Sequence, residues 1–149
     1  MAVQQLGVVE LAEKVGGALP ESLAPDRPDD GALWVNAPKI ADVAAFLRSD
    51  AGLDFNFLSS ISAVDYISHF DVVYHLTSFS KRHTALMKTR LDGRYELALP
   101  TVYHLWRGAD FQEREIWDLM GIRFEGHPNL KRIMLWEGFD GHPLRKDYL

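Results

Sequence analysis

The chain contains no cysteine, which excludes disulfides, cysteine-ligated iron–sulfur clusters, thiol nucleophiles and the common zinc patterns. A thiol-free composition fits a reducing compartment. Long apolar runs are missing too, since nothing approaches the roughly 18 residues of a spanning helix. The start, Met1 to Glu10, lacks the basic region and apolar stretch of a secretory signal. The expectation is a soluble chain that reaches a membrane only through partners, without direct membrane insertion. Charge of one sign is nowhere concentrated. The formal net charge is −5, but no block of five like charges occurs, so neither a nucleic-acid footprint nor a polybasic anchor is present. Gly-x-Gly-x-x-Gly, a Gly-Lys-Ser phosphate loop and Gly-x-Ser-x-Gly are also absent, and no nucleotide site can be argued.

What is there is one domain's worth of core: 149 residues, 47% of them apolar. Val8, Leu11, Ala12 and Val15 repeat at helical spacing and predict a short helix ending at Gly16-Gly17. Pro20 to Gly31, with three prolines and four acids, predicts an exposed loop. After a short strand at Leu33 to Val35, the residues Ile40, Val43, Ala44 and Leu47 predict a second helix, with Asn36 as its cap, Pro38 in its first turn and Gly52 closing it. Three strand-like runs follow, Phe55 to Tyr66, Phe70 to Phe79 and His83 to Leu91, joined by turns that favour an antiparallel meander. A helical turn around Val102, Tyr103 and Trp106 precedes a helix from Ala109 to Met120, with Asp110 and Glu113 in capping-box spacing and Gly121 as its stop. The expected fold is α+β: a two-layer domain, mainly antiparallel sheet with helices on one face, and an extended irregular C-terminal arm. The domain spans residues 1–122 and the arm residues 123–149, within one structural unit.

On the last helix, Ile116, Leu119 and Met120 form the buried stripe, Glu113 and Glu115 flank it, and Arg114 points away beside Asp118. Carboxylates at the margin of a buried face need cations, and Arg123, Arg132 and Arg145 are the candidates. As a general acid/base pair the two glutamates fail, because they sit about 160 to 200° apart around a helix and cannot converge on one atom. His127 and His142 stand in an echoed Gly-His-Pro sequence, Gly126 to Pro128 and Gly141 to Pro143. A metal site with Glu125 or Asp140 is one reading. The other, which we prefer, has each ring bonding backbone or carboxylate while Pro128 and Pro143 fix the chain path.

From Glu125 onward no period is sustained, yet the segment carries Ile133, Leu135, Trp136, Phe139, Leu144 and Tyr148. Such an apolar load argues against disorder, so something must cover these side chains. Residues 123–149 hold five basic and four acidic residues, against eleven and seventeen in 1–122. The less acidic end, rich in aromatics and arginines, suits a partner surface; the alternative is an arm folded back on its own sheet.

The run Glu113-Arg-Glu-Ile-Trp-Asp-Leu-Met-Gly121, continuing to Gly126-His-Pro128 and closing with Gly141-His-Pro-Leu-Arg-Lys-Asp-Tyr148, resembles the signature of the 30-kDa subunit of respiratory complex I. In bacteria this is the C subunit of NADH-quinone oxidoreductase. Leu97 to Val102, Trp106 and Ala109-Asp110 extend the likeness upstream. The resemblance implies the same two-layer fold, without the tails of longer relatives and without fusion to the quinone-site subunit. It implies a non-catalytic core subunit of the hydrophilic arm, peripheral on the cytoplasmic side of the cell membrane. FMN, iron–sulfur clusters and quinone would reside in partner subunits, with no cofactor in this chain. Its partners would be the large quinone-site subunit of 49-kDa type and the ferredoxin-like cluster subunit. The assembly passes electrons from NADH to quinone with coupled proton translocation. Related subunits of membrane-bound hydrogenases and ferredoxin-dependent complexes are the alternative. The residues expected to order and dock the arm are Glu113, Arg114, Glu115, Asp118, Arg123, His127, Pro128, Arg132, His142, Pro143, Arg145, Lys146 and Asp147.

Overall fold

The computed structural model describes residues 3–136 and 138–148. Helix α1 covers Val8–Ala18 and buries Leu11 and Val15. It runs through the two glycines expected to stop it. Each costs about 1 kcal/mol relative to alanine in a helix interior, a penalty offset by seating Leu11 and Val15 in the core. The loop that follows is less free than expected. Ser22 is buried and donates to the Leu19 carbonyl at 2.7 Å, and Leu23 bridges to Val35. Asn36 serves this loop rather than the next helix, its amide donating to the carbonyls of Glu21 (3.0 Å) and Leu23 (3.3 Å). A 3-10 turn at Ala37–Lys39 leads into α2, Ile40–Ser49, which buries Ile40, Val43, Ala44 and Leu47. That helix closes at Asp50, before Gly52.

The meander forms as its alternation requires: β3 is Phe57–Asp65, β4 is His69–Ser78 and β5 is His83–Asp92. Both pairings are antiparallel, with Tyr74 opposite Ile61 on one side and Met87 on the other. Two short strands, β1 (Gln4–Gln5) and β2 (Leu33–Trp34), add to β5 in parallel and make the sheet mixed. Phe70, Val72, Tyr74 and Leu76 of β4 join Ala85 and Met87 of β5 and the buried residues of α1 and α2 in one core. On the other face Trp34 lies under the cations of Lys88 (5.4 Å) and Arg90 (5.2 Å). Charged stems thus cover the largest apolar group there.

The remaining unit is β6 (Ala98–Pro100), α3 (Ala109–Met120) and β7 (Arg123–Glu125), with β6 and β7 paired in parallel. Gly121 ends α3 with φ +79°, the left-handed conformation that glycine adopts without a Cβ clash. The expected capping box is not made. Gly108 occupies the cap position, no side chain bonds the first turn, and Glu113 points into the core. The first residues assigned to the arm are β7, with Ile122 and Phe124 buried; irregular chain begins after Glu125.

Candidate functional site

The last carbonyls of an α-helix have no partner within the helix. In α3 the arm supplies those partners. His142 donates through Nδ1 to the Asp118 carbonyl at 2.9 Å, Leu144 N–H to Leu119 at 2.9 Å, and Arg145 to Met120 at 3.3 Å. Arg145 carries the charge sign that a helix C-terminus attracts. The His142 ring also packs against Gly121, where a Cβ would lie 2.8 Å from it.

Asp118 is the hub of the first half of the arm. Its Oδ2 accepts three successive backbone N–H groups, from Ile133 (3.1 Å), Met134 (2.7 Å) and Leu135 (3.0 Å). Its Oδ1 accepts from Arg132 at 2.7 Å, and the same guanidinium reaches the Gly141 carbonyl at 2.7 Å. Burial alone would raise this carboxyl's pKa, but the N–H groups and Arg132 outweigh it and hold the pKa below the ordinary value. Asp118 is therefore fully buried rather than turned out beside Arg114. Arg114 instead donates to the Lys131 carbonyl at 3.2 Å and lies 5.6 Å over Phe111.

The second half is held by an ion cluster at the meander. Arg94, in the turn after β5, grips Asp65 through two nitrogens and lies 3.0 Å from Asp147. Arg145 bonds Asp147 at 2.9 Å and the Arg94 carbonyl at 2.7 Å. Lys146 contributes its backbone N–H, 2.8 Å from Asp65 Oδ2. Both guanidiniums stack on Phe70, at 4.9 and 5.1 Å. The Arg94 hydrogen bonds hold Asp65 well below the usual carboxylate range, and Arg145 does the same for Asp147.

Glu113 departs from expectation. Arg123, Arg132 and Arg145 are all engaged elsewhere, and its carboxyl is fully buried with Thr101 and the Val102 N–H (2.9 Å) as partners. Burial pushes its pKa up to about 7; the hydrogen bonds oppose that shift and nearby Asp110 adds to it. Burial without a cation is tolerated because a protonated carboxyl carries no charge to desolvate. Glu115 also lacks the expected arginine: its side chain is exposed, with no hydrogen bond or ion pair among the described residues. Arg123 is exposed and lies 6.0 Å over Trp117.

His127 accepts the Asn129 N–H on Nδ1 at 3.0 Å, and its Nε2 lies 3.1 Å from Asp110 Oδ1 without hydrogen-bond geometry. The ring bonds the backbone through Nδ1, and Pro128 follows it into an exposed turn after Gly126 (φ +86°). Pro143 likewise follows His142 past Gly141 (φ +88°). No group of three histidine, aspartate or glutamate side chains converges for a metal among the described residues.

Much of the arm's backbone, with Arg132, His142, Arg145 and Asp147, is thus turned inward, on α3 and the meander. Its large apolar side chains are not: Met134, Trp136 and Leu144 are 61%, 68% and 61% exposed. Phe139 bridges Trp136 (5.8 Å) and Tyr148 (6.4 Å) in a row of rings, with Arg132 5.7 Å from its face. An internally anchored arm that presents aromatics outward has interface anatomy. Arg94, Asp65 and Thr101 were not foreseen, since the first two lie 29 residues apart and nothing local marks any of the three. Asp118 did carry a signal: an acid among Ile116, Leu119 and Met120 on a buried face.

A family model described as respiratory-chain NADH dehydrogenase, 30 Kd subunit, matches residues 33–149. The C subunit of the NADH-quinone oxidoreductase of Roseiflexus sp. (strain RS-1) is 42% identical over 140 residues, 91% of this chain and 80% of that one. Its counterpart from Azorhizobium caulinodans is 39% identical over 144 residues, 93% of this chain and 67% of that one. Among solved structures, a chain of the membrane-bound sulfane sulfur reductase, an archaeal respiratory membrane complex, superposes with a TM-score of 0.69 at 27% identity, covering 94% of this chain and 84% of that one. These likenesses span the meander, α3 and the anchored arm alike, and the chain belongs to the complex I 30-kDa family, that of the C subunit of NADH-quinone oxidoreductase.

Proposed function

We infer that this chain is a non-catalytic structural subunit of the hydrophilic arm of an NADH:quinone oxidoreductase. Its role there is to hold the module that carries electrons from NADH through FMN and iron–sulfur clusters to quinone, coupled to proton translocation. One observation carries the reading. The arm is fixed from within by Asp118, Arg132, His142 and Arg145, yet leaves Met134, Trp136, Leu144 and Tyr148 facing outward. Ordering the arm in advance reduces the entropy lost on docking. The neighbours in this reading are the large quinone-site subunit of 49-kDa type and the ferredoxin-like cluster subunit. In this reading attachment is peripheral, on the cytoplasmic side; no helix among the described residues is long and apolar enough to cross a membrane. The cofactors belong to the partners.

The likeness to the archaeal complex favours a second reading, the equivalent subunit of another membrane-bound respiratory assembly. Tagging the chain in its native host and identifying co-purifying subunits by mass spectrometry separates the two. An NADH-oxidising flavin subunit in the preparation supports the first; its absence beside a quinone-site-type subunit supports the second. A chain recovered alone from solubilised membranes would overturn both.

A further inference from the structure

A left-handed backbone is costly for isoleucine, whose branched Cβ crowds the adjoining carbonyl. Ile67 nevertheless sits at φ +75°, and among the described non-glycine residues with positive φ it is the only β-branched one. The conformation belongs to a three-residue turn at the tip of the β3–β4 hairpin, closed by the Ser68 N–H donating to the Tyr66 carbonyl at 2.9 Å. This is the strained form of the γ-turn. Its neighbours enforce it. Asp65 Oδ1 accepts the Ile67 N–H at 2.8 Å, and Arg94 donates to the Ile67 carbonyl at 2.8 Å while gripping Asp65. Both backbone groups of Ile67 are therefore occupied. What remains free is its side chain, with the residue 64% exposed.

Strain of this kind persists only where the surroundings over-determine it, and it collects at sites that grip a partner. Glycine or asparagine would take the turn at less cost, and Ile67 stands outside the core, so the fold itself has no use for an apolar side chain here. Its position supplies the rest. Arg94, which fixes Ile67, also lies 3.0 Å from Asp147, next to Tyr148, so the hairpin tip and the end of the arm hang on one guanidinium. Asp65 and Asp147 are paired with Arg94 and Arg145, a cluster of zero net charge. Beside it Tyr66 is 51% exposed, stacked on His69 at 5.2 Å. We propose that Ile67 is a pre-set apolar knob that enters an uncharged apolar pocket on the same neighbouring subunit that receives the arm. A side chain held in place before contact loses little entropy on binding, and its burial supplies affinity. The inference rests on the assembly reading above.

Photocrosslinking in the tagged, purified complex tests it. A diazirine-bearing aliphatic side chain in place of Ile67 should attach to an apolar segment of a neighbouring subunit, and a benzophenone in place of Tyr148 should attach to the same subunit, both read by peptide mass spectrometry. Attachment from position 148 with none from position 67, or attachment of the two to different subunits, overturns this inference alone. Attachment from position 67 to a second copy of the chain does the same. No attachment from either position, in a chain recovered alone, overturns the assembly reading and this inference with it. Ile67→Gly and Ile67→Asn separate docking from a role in the fold. With the left-handed backbone relieved, the isolated full-length variants should melt at the wild-type temperature or a few degrees above it. They should leave the purified complex at least about tenfold faster than the wild type. Ile67→Leu, which keeps the apolar bulk, should stay closer to the wild type. A lower melting temperature for the first two variants, or release at the wild-type rate, overturns the proposal.

Discussion

Replacing Glu113 by glutamine should make the domain's stability less dependent on pH, in a window and by an amount that its surroundings specify. The carboxyl titrates at about 7 in the folded chain against an ordinary 4.5, because it is fully buried with only Thr101 and the Val102 N–H to hold it. A raised acid pKa means that the folded state holds the proton more tightly than the unfolded one. The contribution is therefore fully present below pH 4.5 and lost as pH rises through 7. Between pH 5 and pH 8 the linkage amounts to about 2 to 3 kcal/mol. Glutamine has similar shape and can still accept the Val102 N–H, but does not titrate. Urea unfolding of both proteins at pH 5 and pH 8 gives the difference directly, with the variant expected to gain about 2 to 3 kcal/mol on the wild type at the higher pH. Histidine titrations that are independent of Glu113 cancel in that difference. The depressed carboxyls of Asp65, Asp118 and Asp147 act elsewhere: their contribution is present above about pH 4 and lost as pH falls further. A stability difference unchanged between pH 5 and pH 8 would refute the assignment of Glu113 as a buried, cation-free carboxyl.

Asp118→Ala strips the acceptor from three backbone N–H groups and the partner from Arg132. Loss of one member of a buried pair costs about 3 to 5 kcal/mol, expected here as opening of residues 126–148 and seen as rapid proteolysis and amide exchange of that segment while the meander stays protected. Gly121→Ala forces a left-handed alanine, costing about 1 to 2 kcal/mol, and drives its Cβ into His142; thermal unfolding should fall by several degrees, and unchanged melting would contradict the close approach. Arg145→Ala frees the carbonyls of Met120 and Arg94 and uncovers Phe70. The purified domain should remain folded by circular dichroism while NADH:quinone reductase activity in membranes falls, and wild-type activity would argue against a docking role for the arm.

The meander was legible because its period of two, its turns and its lack of proline agree with one another, and no distant contact had to intervene. The limits of α3 were legible for a similar reason, since Gly121 supplies a conformation that no other residue adopts cheaply. The ends of α1 and α2 were not, because packing of Leu11 and Val15 outweighs two glycines and Asn36 finds better acceptors in the neighbouring loop. At the site, the sequence showed that carboxylates and arginines must meet, but not which with which. Spacing on a helix says that Glu113 and Asp118 flank the buried stripe; it cannot say that Thr101 waits at one and three consecutive backbone N–H groups at the other.

Composition and pattern by themselves determined the class of this protein: an α+β domain free of thiol chemistry, with an aromatic, arginine-bearing C-terminal arm. Only the tertiary structure decided how the arm is held and what it leaves free. Hydrogen-bond partners separated by 15 to 81 positions, such as Ile133 with Asp118 and Lys146 with Asp65, depend on where folded elements bring the backbone, and local sequence carries no term for that. The same folding turned Arg132 and Arg145 to other partners and left Arg123 exposed over Trp117, so none of the three meets Glu113 or Glu115. It left one carboxyl to bury itself as an acid and the other exposed on the outer face of α3.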